Sequence, residues 1–136
     1  MDCIFCKIIK GEIPCYKIYE DEDTLAFLDI AKEGYGHTIV VPKKHSPCLL
    51  DTDAETLEKC FNTVKKVANH FIKNCGFSGF NLIINNGKDS GQSVMHLHIH
   101  IIPRKEGDGM GMWPIPLDET DLEEVKRFVG NAKQSK

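Results

Sequence analysis

Long apolar runs are missing from this 136-residue sequence. No segment approaches the roughly 20 consecutive apolar residues that a membrane-spanning helix needs. The first residues, MDCIFCKII, lack the basic flank and the long apolar stretch of a secretory signal. We therefore expect a cytoplasmic protein with no membrane partner.

An excess of positive charge is also missing. The chain has 17 Lys and Arg against 20 Asp and Glu, a formal net charge of -3, and it contains no long basic run. Proteins that bind the backbone of DNA or RNA usually carry a basic patch or stripe. We therefore expect no nucleic-acid polymer as partner, whereas a small anionic ligand in a local site is compatible with this balance.

Repeats and low-complexity segments are absent, and the composition is that of an ordinary globular protein, 41% hydrophobic and 27% charged. A chain of this length can bury its own core without disulfide bonds. We expect a single domain over residues 1–136, with a C-terminal tail from about residue 105. The chain has six cysteines, and in a cytoplasmic protein a close pair more often indicates metal or redox chemistry than a structural disulfide.

The pattern of apolar residues predicts an antiparallel α+β fold with about five strands, one long helix and a short N-terminal helix. The short helix is expected over 3–10 and a further helix within 119–129. The strand candidates are YKIYE, TLAFLDI, HTIVVPK, FNLIINNG and VMHLHIHIIP.

The segment 51–74 has a helical period of apolar residues. The stripe consists of Leu57, Phe61, Val64, Ala68 and Phe71. Thr52 and Glu55 form a candidate capping box at the start, and Gly76 is a candidate stop at the end.

Three of the six histidines lie within five residues, in the segment GQSVMHLHIHIIPR, and alternate with aliphatic residues. Successive side chains of a β-strand point to opposite faces, so a strand would place His96, His98 and His100 on one face, roughly 7 Å apart. An ordered cluster of imidazoles is costly without hydrogen bonds or a ligand. The alternation therefore favours catalysis or metal binding over a solvent-exposed face that happens to carry histidines.

The segment HLHIHII has the form His-φ-His-φ-His-φ-φ, where φ is apolar, and resembles the signature of the histidine triad (HIT) superfamily. Three blocks in family order are similar to the nucleotide-binding hydrolases related to protein kinase C-interacting, or histidine triad nucleotide-binding, proteins. The blocks are CIFCKIIKGEIPCYKIYEDEDTLAFLDI, GHTIVVPKKH and INNGKDSGQSVMHLHIHIIPR. The resemblance implies an antiparallel sheet with a long helix, usually paired in a homodimer with a continuous sheet.

The resemblance also implies the catalytic residues. A neutral imidazole is a good nucleophile toward phosphorus, and His98 matches the residue that attacks the α-phosphorus and forms a nucleotidyl-histidine. His100 is expected to donate to a phosphate oxygen, and Ser93 to act near the leaving group. The related galactose-1-phosphate uridylyltransferases have glutamine in place of His100, which favours hydrolysis over transfer in this chain.

The nucleotide-binding residues follow from the same resemblance. Asp29 matches the acid that accepts hydrogen bonds from the ribose hydroxyls. The other expected members are Phe5, Ile8, Ile13, Phe27 and Ile30 around the base, and Asn85, Gly91, Gln92, Ser93, His98 and His100 near the phosphate. His37 matches a histidine that lines the site. Without the resemblance, the apolar members would be interpreted as core, and Gly91 and Ser93 as an ordinary turn.

Cys3 and Cys6 form a C-x2-C pair that can bind zinc through two thiolates. By resemblance to zinc-containing members of the superfamily, His45 and His96 complete the ligand set. Four protein ligands would make the zinc structural. The alternative is two ordinary reduced thiols. The remaining cysteines, Cys15, Cys48, Cys60 and Cys75, lack such spacing and are expected to be packing residues.

Three functions are open at this point. The first is a purine nucleotide hydrolase, a nucleoside phosphoramidase that uses His98. The second is a dinucleoside polyphosphate hydrolase, and the third is a zinc-stabilised nucleotide-binding module with little turnover. The segment GMWPIP is similar to a Trp-Pro element that reaches the partner subunit's site in family members, although about 20 residues follow it here.

Overall fold

The computed structural model describes residues 3–30, 34–111 and 121–132. Five strands form one antiparallel sheet in the order β1-β2-β3-β5-β4. The elements are α1 Ile4–Ile9, β1 Lys17–Glu20, β2 Thr24–Leu28, β3 Thr38–Pro42, α2 Ala54–Asn74, β4 Gly79–Ile83, β5 Ile99–Arg104 and α3 Leu122–Val129. The predicted α+β fold with a five-stranded antiparallel sheet is confirmed.

The helix α2 covers one face of the sheet. Side chains that alternate along the central strands, such as Ala26, Val40 and Ile101, are buried against it. The residues that α2 contributes to this face are Cys60, Thr63, Val64, Val67, Ala68 and Phe71. The predicted stripe was wrong at Phe61, whose side chain is 39% exposed, because the buried face of the helix is centred on residues 60, 64, 67 and 71.

The start of α2 also differs from the prediction. Asp53 is the N-cap, because its side chain accepts a 2.7 Å hydrogen bond from the backbone N–H of Thr56. The predicted capping box on Thr52 and Glu55 was therefore wrong, and the Thr52 hydroxyl donates to the carbonyl of Cys48 instead. The helix ends just before Gly76, as predicted, and this glycine has a positive φ of 81°.

The helix α1 packs on the opposite face of the sheet. Phe5 lies in a second buried cluster with Leu25, Phe27, Ile39 and Val41, which alternate along β2 and β3 with the residues that face α2. The sheet therefore has an apolar layer on both faces. The smaller layer, under α1, lies beside the triad histidines.

The strand β5 begins later than predicted. It starts at Ile99, so only His100 of the three histidines belongs to the ladder, opposite Ile39 of β3 and Ile83 of β4. The backbone N–H of Leu97 instead donates 2.8 Å to the carbonyl of Ser46, in the loop after β3. The ring centroids of His98 and His100 are 5.0 Å apart, closer than the roughly 7 Å that regular strand spacing predicts.

The C-terminal segment contains the expected final helix, α3, with Asp121 as its N-cap. Most of the GMWPIP segment lies outside the described residues. Within the described ranges, no helix has both the length and the apolar character to span a bilayer. β4 is one edge of the sheet, and the homodimer with a continuous sheet stays a prediction.

Two neighbouring positions on α2 test the packing. Phe71 is 6% exposed and its ring lies 5.8 Å from that of Phe77, whereas Ile72 is 37% exposed. We expect Phe71→Ala to lower the free energy of unfolding by about 3–5 kcal/mol, because it leaves a cavity against the sheet. The matched control Ile72→Ala should lower the free energy of unfolding much less. Urea unfolding followed by circular dichroism measures both, and equal losses would contradict the assignment of the buried face.

Candidate functional site

A cavity of about 400 Å³ lies between α1, the end of β2 and the segment before β5; we call it the main cavity. It is lined by the predicted residues Phe5, Ile8, Ile13, Phe27, Asp29, Ile30, Asn85, Gly91, Ser93, His98 and His100. Cys15, predicted to be a packing residue, also lies in its wall. Residues that are distant in the sequence therefore meet around one space of the size of a small-molecule site.

Gln92 is the member of the predicted set that does not line the cavity. Its side chain is buried, and its amide oxygen accepts a 2.8 Å hydrogen bond from the N–H of Gly87. The amide nitrogen donates to the carbonyls of Pro47 and Val94. Gln92 therefore stabilises the turn between β4 and β5 through hydrogen bonds and does not face the cavity. Gly91 in the same turn has a φ of 100°, which a residue with a side chain adopts only with strain.

Phe5 connects the apolar wall to the histidines. Its ring lies edge-on to Phe27 at 5.7 Å, to His98 at 5.0 Å and to His96 at 5.9 Å between centroids. Edge-to-face contacts of this kind fix ring orientation. The position of α1, which carries Phe5, therefore influences both histidines.

His98 is held in one tautomer by the backbone. Its Nδ1 lies 2.8 Å from the carbonyl oxygen of His96, and a carbonyl can only accept, so Nδ1 must carry the proton. Nε2 is left with its lone pair. Burial is the main reason why the pKa of His98 lies below its ordinary value, although the nearby Asp29 acts in the opposite direction. Burial thus favours a neutral imidazole, and the hydrogen bond places its lone pair on Nε2.

His37 and His100 share a hydrogen bond. Nε2 of His37 lies 2.9 Å from Nδ1 of His100 and 3.8 Å from Oδ2 of Asp29. The carboxylate favours the tautomer in which His37 Nε2 carries the proton, so that His100 accepts at Nδ1 and has its own proton on Nε2. Burial, followed by the neighbouring His98 and His37, lowers the pKa of His100 to about 4. The family resemblance indicated His37 only as a residue lining the site.

A second cavity, of about 330 Å³, shares His100 and Asn85 with the main cavity; we call it the rear cavity. It is lined by His37, Ile83, Asn85, His100, Ile102, Met110 and Gly111. Arg104 holds the segment that contributes Met110, because its guanidinium donates to Asp108, Asn81 and the carbonyl of Met110. Among the described residues, no Lys or Arg lines either cavity.

The four predicted metal ligands come together beside the main cavity. The donor atoms of Cys3, Cys6, His45 and His96 all lie within 4.8 Å of one another. The Sγ···Nδ1 distances are 3.4 Å for Cys3 and His96, 3.4 Å for Cys6 and His45, and 3.6 Å for Cys6 and His96. The two Nδ1 atoms are 3.0 Å apart.

The three Sγ···Nδ1 distances fit a tetrahedral metal site, and the two Nδ1 atoms are a few tenths of an ångström closer than in such a site. Zinc–sulfur and zinc–nitrogen bond lengths imply ligand–ligand separations of about 3.3–3.8 Å around a tetrahedral ion. The ring of His96 is correctly oriented for this role, because its Nε2 donates 2.8 Å to the carbonyl of Pro42 and leaves Nδ1 as a lone-pair donor. Cys3 is also the N-cap of α1, so an ion held here would be anchored to the helix that carries Phe5.

Comparison with known proteins agrees with this arrangement. A family model described as the HIT domain matches residues 10–107. An uncharacterised HIT-like protein from Methanocaldococcus jannaschii is 49% identical over 127 residues, which are 93% of this chain and 98% of that protein. An adenosine 5'-monophosphoramidase from Schizosaccharomyces pombe is 44% identical over 116 residues, 84% of each chain.

A solved structure is similar as well. A Zn-bound histidine triad family protein from Mycobacterium smegmatis has a TM-score of 0.77 and 38% identity, and the match covers 93% of this chain and 89% of that one. The resemblance inferred from the triad segment is confirmed, and the chain belongs to the HIT domain family.

Proposed function

We propose that this protein is a nucleotide hydrolase that acts at the α-phosphate of purine nucleoside phosphoramidates through a nucleotidyl-His98 intermediate. The observation that carries the proposal is the hydrogen bond from His98 Nδ1 to the carbonyl of His96, which in the neutral ring places the lone pair on Nε2 at the main cavity. A relative named as an adenosine 5'-monophosphoramidase supports nucleotide hydrolysis at the level of the family.

The chemistry consists of two displacements. Nε2 of His98 forms a bond to the α-phosphorus while the phosphorus–nitrogen bond to the leaving amine breaks, and the amine takes up a proton from solvent as it departs. Water then displaces His98 from the phosphorus and releases the nucleoside monophosphate. His100, with its proton on Nε2, donates to a phosphate oxygen, and the Ser93 hydroxyl lies in the cavity wall to meet the leaving group.

The nucleoside occupies the apolar part of the main cavity. Asp29, at the end of β2, accepts from the ribose hydroxyls, and the rings of Phe5 and Phe27 contact the base. Walls made mainly of apolar side chains favour purines through their larger contact area and discriminate weakly between adenine and guanine.

The charges around the cavities favour an amine leaving group over a polyphosphate. A departing polyphosphate carries several negative charges, and among the described residues neither cavity is lined by Lys or Arg. An amine needs only a proton. Comparing turnover of adenosine phosphoramidate with that of diadenosine polyphosphates distinguishes the two hydrolases, and we expect the phosphoramidate to be the better substrate.

We propose that Cys3, Cys6, His45 and His96 hold a structural zinc ion. The donor set has two soft thiolates and two imidazoles, which is the chemistry that zinc prefers, and four protein ligands close the coordination sphere. When bound, the ion supplies structural stability by joining α1 to the segment before β5. A homodimer and a cytoplasmic location complete the proposal.

The nucleophile is tested by removing its imidazole. We expect His98→Ala to abolish turnover of adenosine phosphoramidate and the labelled adduct seen in acid-quenched wild-type protein. Nucleotide binding should survive, because Asp29 and the apolar wall remain. His70→Ala is the matched control, since His70 lies on the exposed side of α2 and its ring contacts Asn74. Turnover near the wild-type rate in His98→Ala would rule out this role, and a wild-type protein without an adduct would indicate a binding module.

The role of Asp29 is tested with two nucleotides that differ only in the sugar. We expect Asp29→Ala to weaken binding of AMP much more than binding of 2'-deoxy-AMP, because part of the carboxylate's contribution depends on the 2'-hydroxyl. A hydrogen bond to a charged group contributes about 1.5–3 kcal/mol. Calorimetric titration of both nucleotides measures the difference. Equal losses for the two sugars would show that Asp29 does not recognise the ribose.

The zinc site is tested by removing both thiols. We expect Cys3→Ser/Cys6→Ser to lose about one zinc per chain, to melt earlier and to bind nucleotide more weakly, while it still forms the adduct on His98. The matched control is Cys48→Ser/Cys75→Ser, which removes two cysteines outside the cluster. Metal-free wild-type protein whose melting is unchanged by zinc would contradict the proposal. A cysteine variant unable to form the adduct would show that the metal is catalytic.

A further inference from the structure

Three side chains around the two cavities also converge on one point. The donor atoms of Asp29, His37 and His100 lie within 4.8 Å of one another, in a group distinct from the four ligands of the zinc cluster. Their convergence is built into the sheet. Asp29 follows β2, His37 precedes β3, and the N–H of Asp29 donates 2.9 Å to the carbonyl of His37.

The two imidazoles already point their nitrogens at each other. Nε2 of His37 and Nδ1 of His100 are 2.9 Å apart and share a single proton, with Oδ2 of Asp29 3.8 Å from the same Nε2. A cation that replaces this proton meets two nitrogen lone pairs and a carboxylate oxygen. Small adjustments of the side chains bring all three donors to metal-ligand distance.

We propose that Asp29, His37 and His100 form a second metal site, which binds a divalent transition-metal ion and in doing so excludes nucleotide. Two imidazoles and one carboxylate select ions such as zinc, cobalt or nickel over magnesium and calcium, which prefer oxygen ligands. The ion is an inhibitor of the site and is separate from the structural zinc.

The second site is open, in contrast to the zinc cluster. Three protein ligands leave coordination positions for water, and space is available because His37 and His100 line the rear cavity while Asp29 and His100 line the main cavity. It also lacks thiolates. We therefore expect the ion to bind more weakly than the structural zinc and to exchange readily with solvent.

Binding of the ion competes with nucleotide because both use the same groups. Asp29 cannot accept from the ribose while it coordinates a metal, and His100 cannot keep its hydrogen bond with His37. This competition rests on the proposed function, whereas the metal site itself does not. The two parts therefore need separate measurements.

Cobalt titration of protein that already contains one zinc per chain tests the metal site. We expect a second ion per chain with visible absorption but without the thiolate-to-cobalt charge-transfer band that ligation by Cys3 and Cys6 would give. His37→Ala and the near-isosteric Asp29→Asn should each weaken this binding by at least about tenfold. His70→Ala and His98→Ala should bind the second cobalt as the wild type does, which excludes a surface histidine and a site built on His98.

Three results would overturn the metal site. The first is that no second cobalt ion binds. The second is a charge-transfer band, which would assign the second cobalt ion to the thiolates. The third is cobalt binding that is undiminished in both His37→Ala and Asp29→Asn. Circular dichroism checks that each variant is folded. If His37→Ala is unfolded, the result for Asp29→Asn alone decides the test.

Repeating the titration with AMP tests the competition. We expect saturating AMP to raise the apparent dissociation constant for cobalt. If AMP binds and leaves cobalt binding unchanged, the competition is wrong although the metal site stands. If AMP does not bind to the protein at all, the proposed function fails and the metal site is judged by the cobalt data alone.

Discussion

The hydrogen bond from His98 Nδ1 to the carbonyl of His96 is the interaction on which the rest of the site depends. The two residues are only two positions apart, so this hydrogen bond depends on the local backbone conformation of the segment. This conformation is possible because the segment precedes the ladder of β5 and its Leu97 N–H is bonded to Ser46 instead. A regular strand would direct the His96 carbonyl into ladder hydrogen bonds, and the imidazole of His98 would lose the partner that fixes its tautomer.

The same segment contributes one histidine to the proposed metal site and another to the main cavity. The ring of His96 turns to the thiols of Cys3 and Cys6, and the ring of His98 lines the main cavity. Phe5 packs edge-on against both rings. A metal at the cluster and a nucleoside in the cavity therefore act on the same helix, α1, which gives a physical route by which the proposed structural zinc supports nucleotide binding.

Alternation and spacing predicted the fold elements, whereas the residues of the main cavity and the ligands His45 and His96 were predicted by the family resemblance. The five strands, the long helix and the C-x2-C pair have local signatures, and the triad predicts a functional segment. The late start of β5, the stabilising role of Gln92 and the burial of Cys60 in place of Phe61 depend on long-range partners such as Ser46, Pro47 and the sheet. The hydrogen bond between His37 and His100 depends on the pairing of β3 with β5, because two residues 63 positions apart carry no local signal of contact.

The most direct test of this account is the tautomer of His98 at neutral pH. Long-range proton–nitrogen NMR of histidine-labelled protein distinguishes a protonated ring nitrogen from one with a free lone pair, and His98→Ala assigns the signals. We predict a neutral ring with the proton on Nδ1 and a lone pair on Nε2. A ring protonated on Nε2, or a doubly protonated ring at neutral pH, would contradict the proposal that His98 is the nucleophile.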